Sequence, residues 1–135
     1  MLFFLLIILG SVIFYWLIWT EFLGASWLPA PQKKVETMIK LADISKKDVF
    51  YDLGCGNGSV LKEVSKTGAT CIGIEVDPIR YMWSKINTRN CKNVKIIFGN
   101  LFKKDVSDGT IIFLYLQDRT NEKIKAKLMN ELKNG

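Results

Sequence analysis

The sequence predicts an α/β fold, a doubly wound parallel sheet of about four strands with helices on both faces, preceded by one apolar N-terminal helix. Three observations carry this expectation. Short β-prone runs alternate with stretches of helical periodicity from Val49 onward, an order that calls for parallel strands and right-handed crossovers. The apolar run Val49-Phe50-Tyr51 leads directly into Asp52-Leu53-Gly54-Cys55-Gly56-Asn57-Gly58, a glycine-rich turn that opens a helix. Finally, Leu2 to Trp19 contains no charged residue.

Residues 1–23 read as a single membrane span. About 18 residues of helix at ~1.5 Å each cover roughly 27 Å, and continuing to Leu23 brings the length near the ~30 Å of a bilayer's hydrocarbon. Tyr15, Trp16, Trp19 and Trp27 gather toward its C-terminal end, as aromatics do at a membrane interface. A cleaved signal peptide is the competing reading. It would need a basic start, which is absent, and a small-residue cleavage site, for which Gly24-Ala25-Ser26 is a weak candidate. A buried or interfacial helix is the third. Lys33, Lys34 and Lys40 follow the run and nothing basic precedes it, so the positive-inside tendency places the C-terminal domain in the cytoplasm.

Residues 24–31 form a linker stiffened by Pro29 and Pro31, and residues 32–135 form the α/β domain. Val35, Met38, Ile39 and Ala42 mark an amphipathic helix. Asp48–Leu53 is the first strand and Ser59 to Lys66 the next helix, with Val60, Leu61 and Val64 buried and Gly68 as its stop. Thr70–Glu75 is the second strand. Asp77 caps a helix over Pro78 to Thr88 that carries Tyr81, Met82, Trp83 and Ile86, with Arg80, Lys85 and Arg89 as its solvated side. Val94–Phe98 and Thr110–Leu116 are the third and fourth strands. A last helix, Asn121 to Leu132, sets Ile124, Leu128 and Leu132 on one face.

Composition narrows the chemistry. The chain has 135 residues, 19 basic and 13 acidic, for a net charge of +6, and a pI near 9.3. Its basic residues are spread over many segments without a dense patch of interleaved aromatics, so no nucleic acid is expected as a partner. Cys55, Cys71 and Cys91 are odd in number and lack metal-ligand spacing, and histidine is absent. That argues against a disulfide framework and a zinc site and suits a reducing compartment.

The glycine turn is the site signal. Gly54, Gly56 and Gly58 admit backbone conformations that a Cβ obstructs and let amides approach a ligand at a helix start. The spacing is not that of a dinucleotide fingerprint, whose third glycine would fall on Ser59, nor of a P-loop, since no lysine follows until Lys62. Glu75, at the end of the second strand and some twenty residues past the turn, stands where doubly wound folds hydrogen-bond a ligand's ribose hydroxyls.

Asp52-x-Gly54-x-Gly56-x-Gly58 resembles motif I of the class I S-adenosylmethionine-dependent methyltransferases, a Rossmann-like family. In that family the acid lies near the methionine part of the cofactor and the glycines make room for its body. The resemblance therefore implies S-adenosyl-L-methionine as cofactor, with Asp52, Gly54, Cys55, Gly56, Gly58 and Glu75 binding it, and Asn100 and Leu101 at the adenine end. It also implies the strand order 3-2-1-4. Taken with Gly73-Ile74-Glu75-Val76-Asp77-Pro78, Phe98-Gly99-Asn100-Leu101-Phe102 and Ile111 to Leu116 (I-I-F-L-Y-L), the chain is similar to the small membrane-anchored protein-lysine methyltransferases. Those enzymes methylate the adenine nucleotide translocase and the ATP synthase c subunit and have prokaryotic relatives.

That likeness implies methyl transfer to a lysine of a membrane-associated protein. Tyr115 is then the catalytic candidate, lining the lysine slot, with Gln117 and Asp118 as orienting groups; a packed surface aromatic is the alternative for Tyr115. The class has seven strands and this sequence shows four, so the likeness also implies a C-terminally truncated domain whose fourth strand is an edge open to pairing. A truncated, inactive cofactor-binding module, or a methyltransferase for RNA or a small molecule, are the other readings.

Overall fold

The structure, a computed structural model, describes residues 1–22 and 29–132, without the side chains at 17 and 19–22. Its four strands, β1 (Val49–Leu53), β2 (Thr70–Glu75), β3 (Val94–Phe98) and β4 (Ile111–Leu114), form one parallel sheet in the order β3-β2-β1-β4. Five α-helices accompany them: α1 (Leu2–Phe22), α2 (Gln32–Leu41), α3 (Ser59–Val64), α4 (Pro78–Asn87) and α5 (Asp118–Glu131).

The central strand is buried on both faces because both are covered, as a parallel sheet requires. On one side Phe50 packs with Val35 of α2 and with Leu61 and Val64 of α3. On the other, Tyr51, Leu53 and Ile74 pack with Val106 and Ile124 of α5. Gly73 of β2 makes the first layer tight, since a Cβ there would stand 2.5 Å from Leu61 and 2.8 Å from the Cys55 sulfur.

Several boundaries differ from the sequence expectation for physical reasons. β4 stops at Leu114 rather than Leu116: Leu114 pairs with Leu53, and β1 ends there as Gly54 turns away at φ 88°. Tyr115 and Leu116 therefore lie past the sheet. α3 ends at Val64 in a tight turn over Ser65–Thr67, which Gly68 closes with φ 86°. α5 begins at Asp118, three residues earlier than expected.

α4 departs most. Its buried face is Ser84 with Thr88 just beyond, while Ile79, Met82, Trp83 and Ile86 are each at least half exposed. Gly58 is the cause: a Cβ there would sit 3.1 Å from Thr88 Cγ2 and 3.2 Å from Ser84 Cβ. Only small side chains fit where α4 crosses the glycine turn, so the large ones point outward.

α1 is helical as expected, and its apolar side chains from Leu2 to Phe14 are exposed. Among the described residues no helix is long and apolar enough to cross a membrane. Ile18 is the last residue of α1 whose side chain is described. The expected span over 1–23 thus runs into undescribed side chains, and Trp27, the cleavage candidate Gly24-Ala25-Ser26 and most of the linker lie outside the described residues. Near its C-terminal end α1 touches the domain, where the Trp16 indole donates to Asp77 Oδ2 at 3.1 Å.

Candidate cofactor site

At the carboxyl ends of β1 and β2, beside the switch point between β1 and β4, the glycine turn is tied to its neighbours by its own backbone. The amides of Gly54 and Cys55 donate to the Ile74 carbonyl at 2.8 and 3.1 Å. Gly54, Gly56 and Gly58 adopt φ of 88°, 54° and 74°, a region that favours glycine. The Gly56 amide donates to Glu75 Oε2 at 2.8 Å, while Glu75 Oε1 accepts from the amides of Val76 and Asp77 at 3.0 and 2.9 Å. Three amides thus fix a carboxylate that is 3% exposed, leaving lone pairs on it for a ligand hydroxyl.

Asp52 is held differently. It is 3% exposed, and among the described residues no group donates a hydrogen bond to its carboxylate. Burial, and secondarily the charge of Glu75, push its pKa up to about 7. Its side chain lines the same cleft as Glu75. A buried acid without a donor, facing an open cleft beside a second acid, suits a ligand bringing positive charge and N–H or O–H donors.

The cleft is open on one side and holds about 880 Å³ of empty space when the solvent at its mouth is included. Of the residues expected to bind a cofactor, it brings together Asp52, Gly54, Cys55, Gly56, Glu75, Asn100 and Leu101. Gly58 does not line it and serves instead the contact of α3 with α4. The Asn100 side-chain oxygen accepts from the Phe102 amide at 2.9 Å. Cys55 is buried, and burial holds its thiol well above the usual range, so it is packing rather than a nucleophile.

Tyr115 lies at the mouth, with its ring nearly parallel to Phe113 at 6.4 Å between centroids. Gln117 and Asp118 do not line the cleft; both are exposed at the start of α5, and it is Thr120, one turn on and buried, that reaches it. Sequence reading also missed Pro29, Ala30, Arg80, Phe102, Phe113 and Leu116 as lining residues. Arg80 is half-buried against the cleft rather than solvated. Pro29 and Ala30 carried no signal, since only the fold brings that segment across the pocket.

The residues present fit S-adenosylmethionine. Glu75 would offer an acceptor to its ribose hydroxyls and Asp52 a carboxylate to its cationic methionine end.

Comparison with known proteins bears on the same residues. The family profile of the ANTKMT methyltransferase domain matches residues 52–135. A protein-lysine N-methyltransferase of Saccharolobus islandicus is 32% identical over 114 residues, covering 81% of this chain and 71% of that protein. An RNA methyltransferase from Salinibacter ruber, solved in complex with S-adenosyl-L-homocysteine, superposes with a TM-score of 0.77. It is 35% identical and covers 80% of this chain and 73% of its own. The 23S rRNA (uracil(1939)-C(5))-methyltransferase RlmD of Francisella tularensis is 34% identical over 74 residues, 53% of this chain but 16% of that enzyme.

Proposed function

The chain belongs to the ANTKMT methyltransferase domain family, an S-adenosylmethionine-dependent group, and from that premise we propose that its methyl acceptor is a lysine side chain of a membrane-associated protein. The observation that carries this reading is the aromatic lining of the cleft: Phe113 and Tyr115 stack there with ring centroids 6.4 Å apart, and Phe102 and Thr120 line the same cleft. Aromatic faces hold an alkylammonium as it enters, and their apolar surroundings lower a lysine's pKa so that the neutral amine forms. The lysine methyltransferase of Saccharolobus islandicus, 32% identical, supports the same reading.

When bound, S-adenosylmethionine would supply an electrophilic methyl on a sulfonium, for which a neutral amine is the acceptor and the uncharged thioether the leaving group. The chain's own residues contribute position and dryness. Glu75 would hold the ribose end and Asp52 the cationic end, and Tyr115 with Phe113 would line the approach of the amine. The amine's surplus proton leaves to solvent, and none of these residues is required as a general base.

The domain is held at a membrane by the exposed apolar surface of α1, with the methyl-transfer domain on the cytoplasmic side, where Lys33, Lys34 and Lys40 follow the helix.

A second reading, an RNA methyltransferase, is favoured by the 35% identical Salinibacter ruber enzyme. The discriminating experiment incubates the protein with methyl-labelled S-adenosylmethionine and membrane extract. Label that is lost to protease, survives ribonuclease and hydrolyses to methyl-lysine supports the first reading. Label lost to ribonuclease supports the second. Cofactor binding without any transfer would leave an inactive binding module.

A further inference from the structure

The outward face of α4 carries a stripe of large apolar side chains that stay about half exposed in the fold. Ile79, Met82, Trp83 and Ile86 recur at i, i+3, i+4 and i+7 and are exposed by 55%, 55%, 50% and 56%. A helix normally turns such a stripe to the core, but here Ser84 and Thr88 face inward. Phe98, 51% exposed at the end of β3, extends the patch through its contact with Tyr81, the ring centroids 5.4 Å apart.

The segment that carries this patch has charge of one sign. Between Asp77 and Asp105 the chain carries no acidic residue, while Lys85, Arg89, Lys92 and Lys95 are all exposed in that interval. Lys85 lies over the Tyr81 ring, its Nζ 5.4 Å from the centroid, so its aliphatic stem follows the apolar surface and its charge sits at the rim. The stripe also begins beside α1, because Asp77, which accepts the Trp16 indole, caps α4 through the amides of Ile79 and Arg80.

We propose that α4 is an interfacial helix, laying Ile79, Met82, Trp83 and Ile86 into the headgroup–acyl boundary of an anionic phospholipid bilayer. The exposed Lys85, Arg89, Lys92 and Lys95 contact the phosphates. An apolar stripe with basic flanks is the pattern that binds such a surface, and aliphatic side chains in the stripe suit acyl chains better than the stacked bases of an RNA. The proposal rests on α1 holding the protein at a membrane and adds a second contact. Two contacts would fix the domain's tilt, and with it the direction in which the cleft faces the bilayer.

The test places nitroxide labels, one at a time, at Leu9→Cys in α1, Ile86→Cys in α4 and Lys62→Cys in α3, in a Cys91→Ser background, since Cys55 and Cys71 are buried. The 135-residue chain is reconstituted in vesicles of phosphatidylcholine with or without phosphatidylglycerol. S-adenosylhomocysteine binding checks that each variant is folded. The expected result is oxygen accessibility at position 86 rising several-fold over that at 62 when phosphatidylglycerol is present and falling back in high salt. A label at 9 in hydrocarbon with 86 in water would overturn the proposal while leaving the anchoring by α1 intact. Both labels in water would overturn both. Position 86 shielded by single-stranded RNA but not by vesicles would make the face a nucleic-acid surface and overturn it also.

Discussion

The Glu75 carboxylate accepts the Gly56 amide at 2.8 Å, so the acid at the end of β2 and the turn after β1 form one unit before any ligand arrives. The same carboxylate takes the amides of Val76 and Asp77, and through Asp77 it is linked to Trp16 of α1. One side chain thus shapes the turn, starts α4 and presents an acceptor to the cleft.

Glu75→Gln keeps the length of that side chain but loses its charge and sets an NH2 against an amide. Charge-assisted hydrogen bonds contribute about 1.5–3 kcal/mol each, so cofactor affinity is expected to fall on the order of 10- to 100-fold. Titration calorimetry on the variant measures it.

Asp52→Asn separates binding from folding. The Asp52 pKa is raised from 3.8 to about 7 in the folded protein, because burial and Glu75 disfavour its charge. The contribution of the neutral acid to stability is therefore complete below pH 3.8 and is lost as pH rises through about 7. Denaturant unfolding of the unliganded protein should show Asp52→Asn gaining stability over the parent between pH 4 and 8, by on the order of a few kcal/mol at the upper end. The same variant should bind S-adenosylmethionine poorly at every pH.

Gly58→Ala should do the opposite. Its φ of 74° and the 3.1 Å approach to Thr88 Cγ2 predict a loss of stability on the order of 1–3 kcal/mol. Because Gly58 does not line the cleft, cofactor affinity measured well below the unfolding temperature should change little.

Tyr115→Ala should lower kcat/KM for the methyl acceptor by about 3- to 30-fold, the scale of a cation–aromatic contact. Tyr115→Phe should retain most of the activity if the ring face is what matters. Cofactor affinity, measured in parallel, should stay near the parent value in both.

Where side chains obey a local period, the sequence announced the structure. Val49 to Leu53 and Thr70 to Glu75 fall where their apolar runs place them, and the family resemblance anticipated the order β3-β2-β1-β4. Glu75 and the glycine turn were legible for the same reason, as both sit at strand ends fixed by pattern. What escaped was set by contacts distant in sequence. α4 turned its large residues outward because Gly58, some thirty positions earlier in the chain than Thr88, leaves room only for Ser84 and Thr88. Arg80, Ala30 and Thr120 reached the cleft through packing of three separate segments, for which no periodicity exists. The extent of β4 depended on where β1 stopped, which Gly54 decided.

The central claim is that the cleft between Asp52 and Glu75 binds S-adenosylmethionine, and calorimetric titration of the 135-residue chain tests it most directly. Saturable binding of S-adenosylmethionine and S-adenosylhomocysteine to the parent, abolished in the Asp52→Asn, Glu75→Gln double variant, is the predicted result. Absence of heat with either compound up to millimolar concentration, or undiminished binding by the folded double variant, would contradict it.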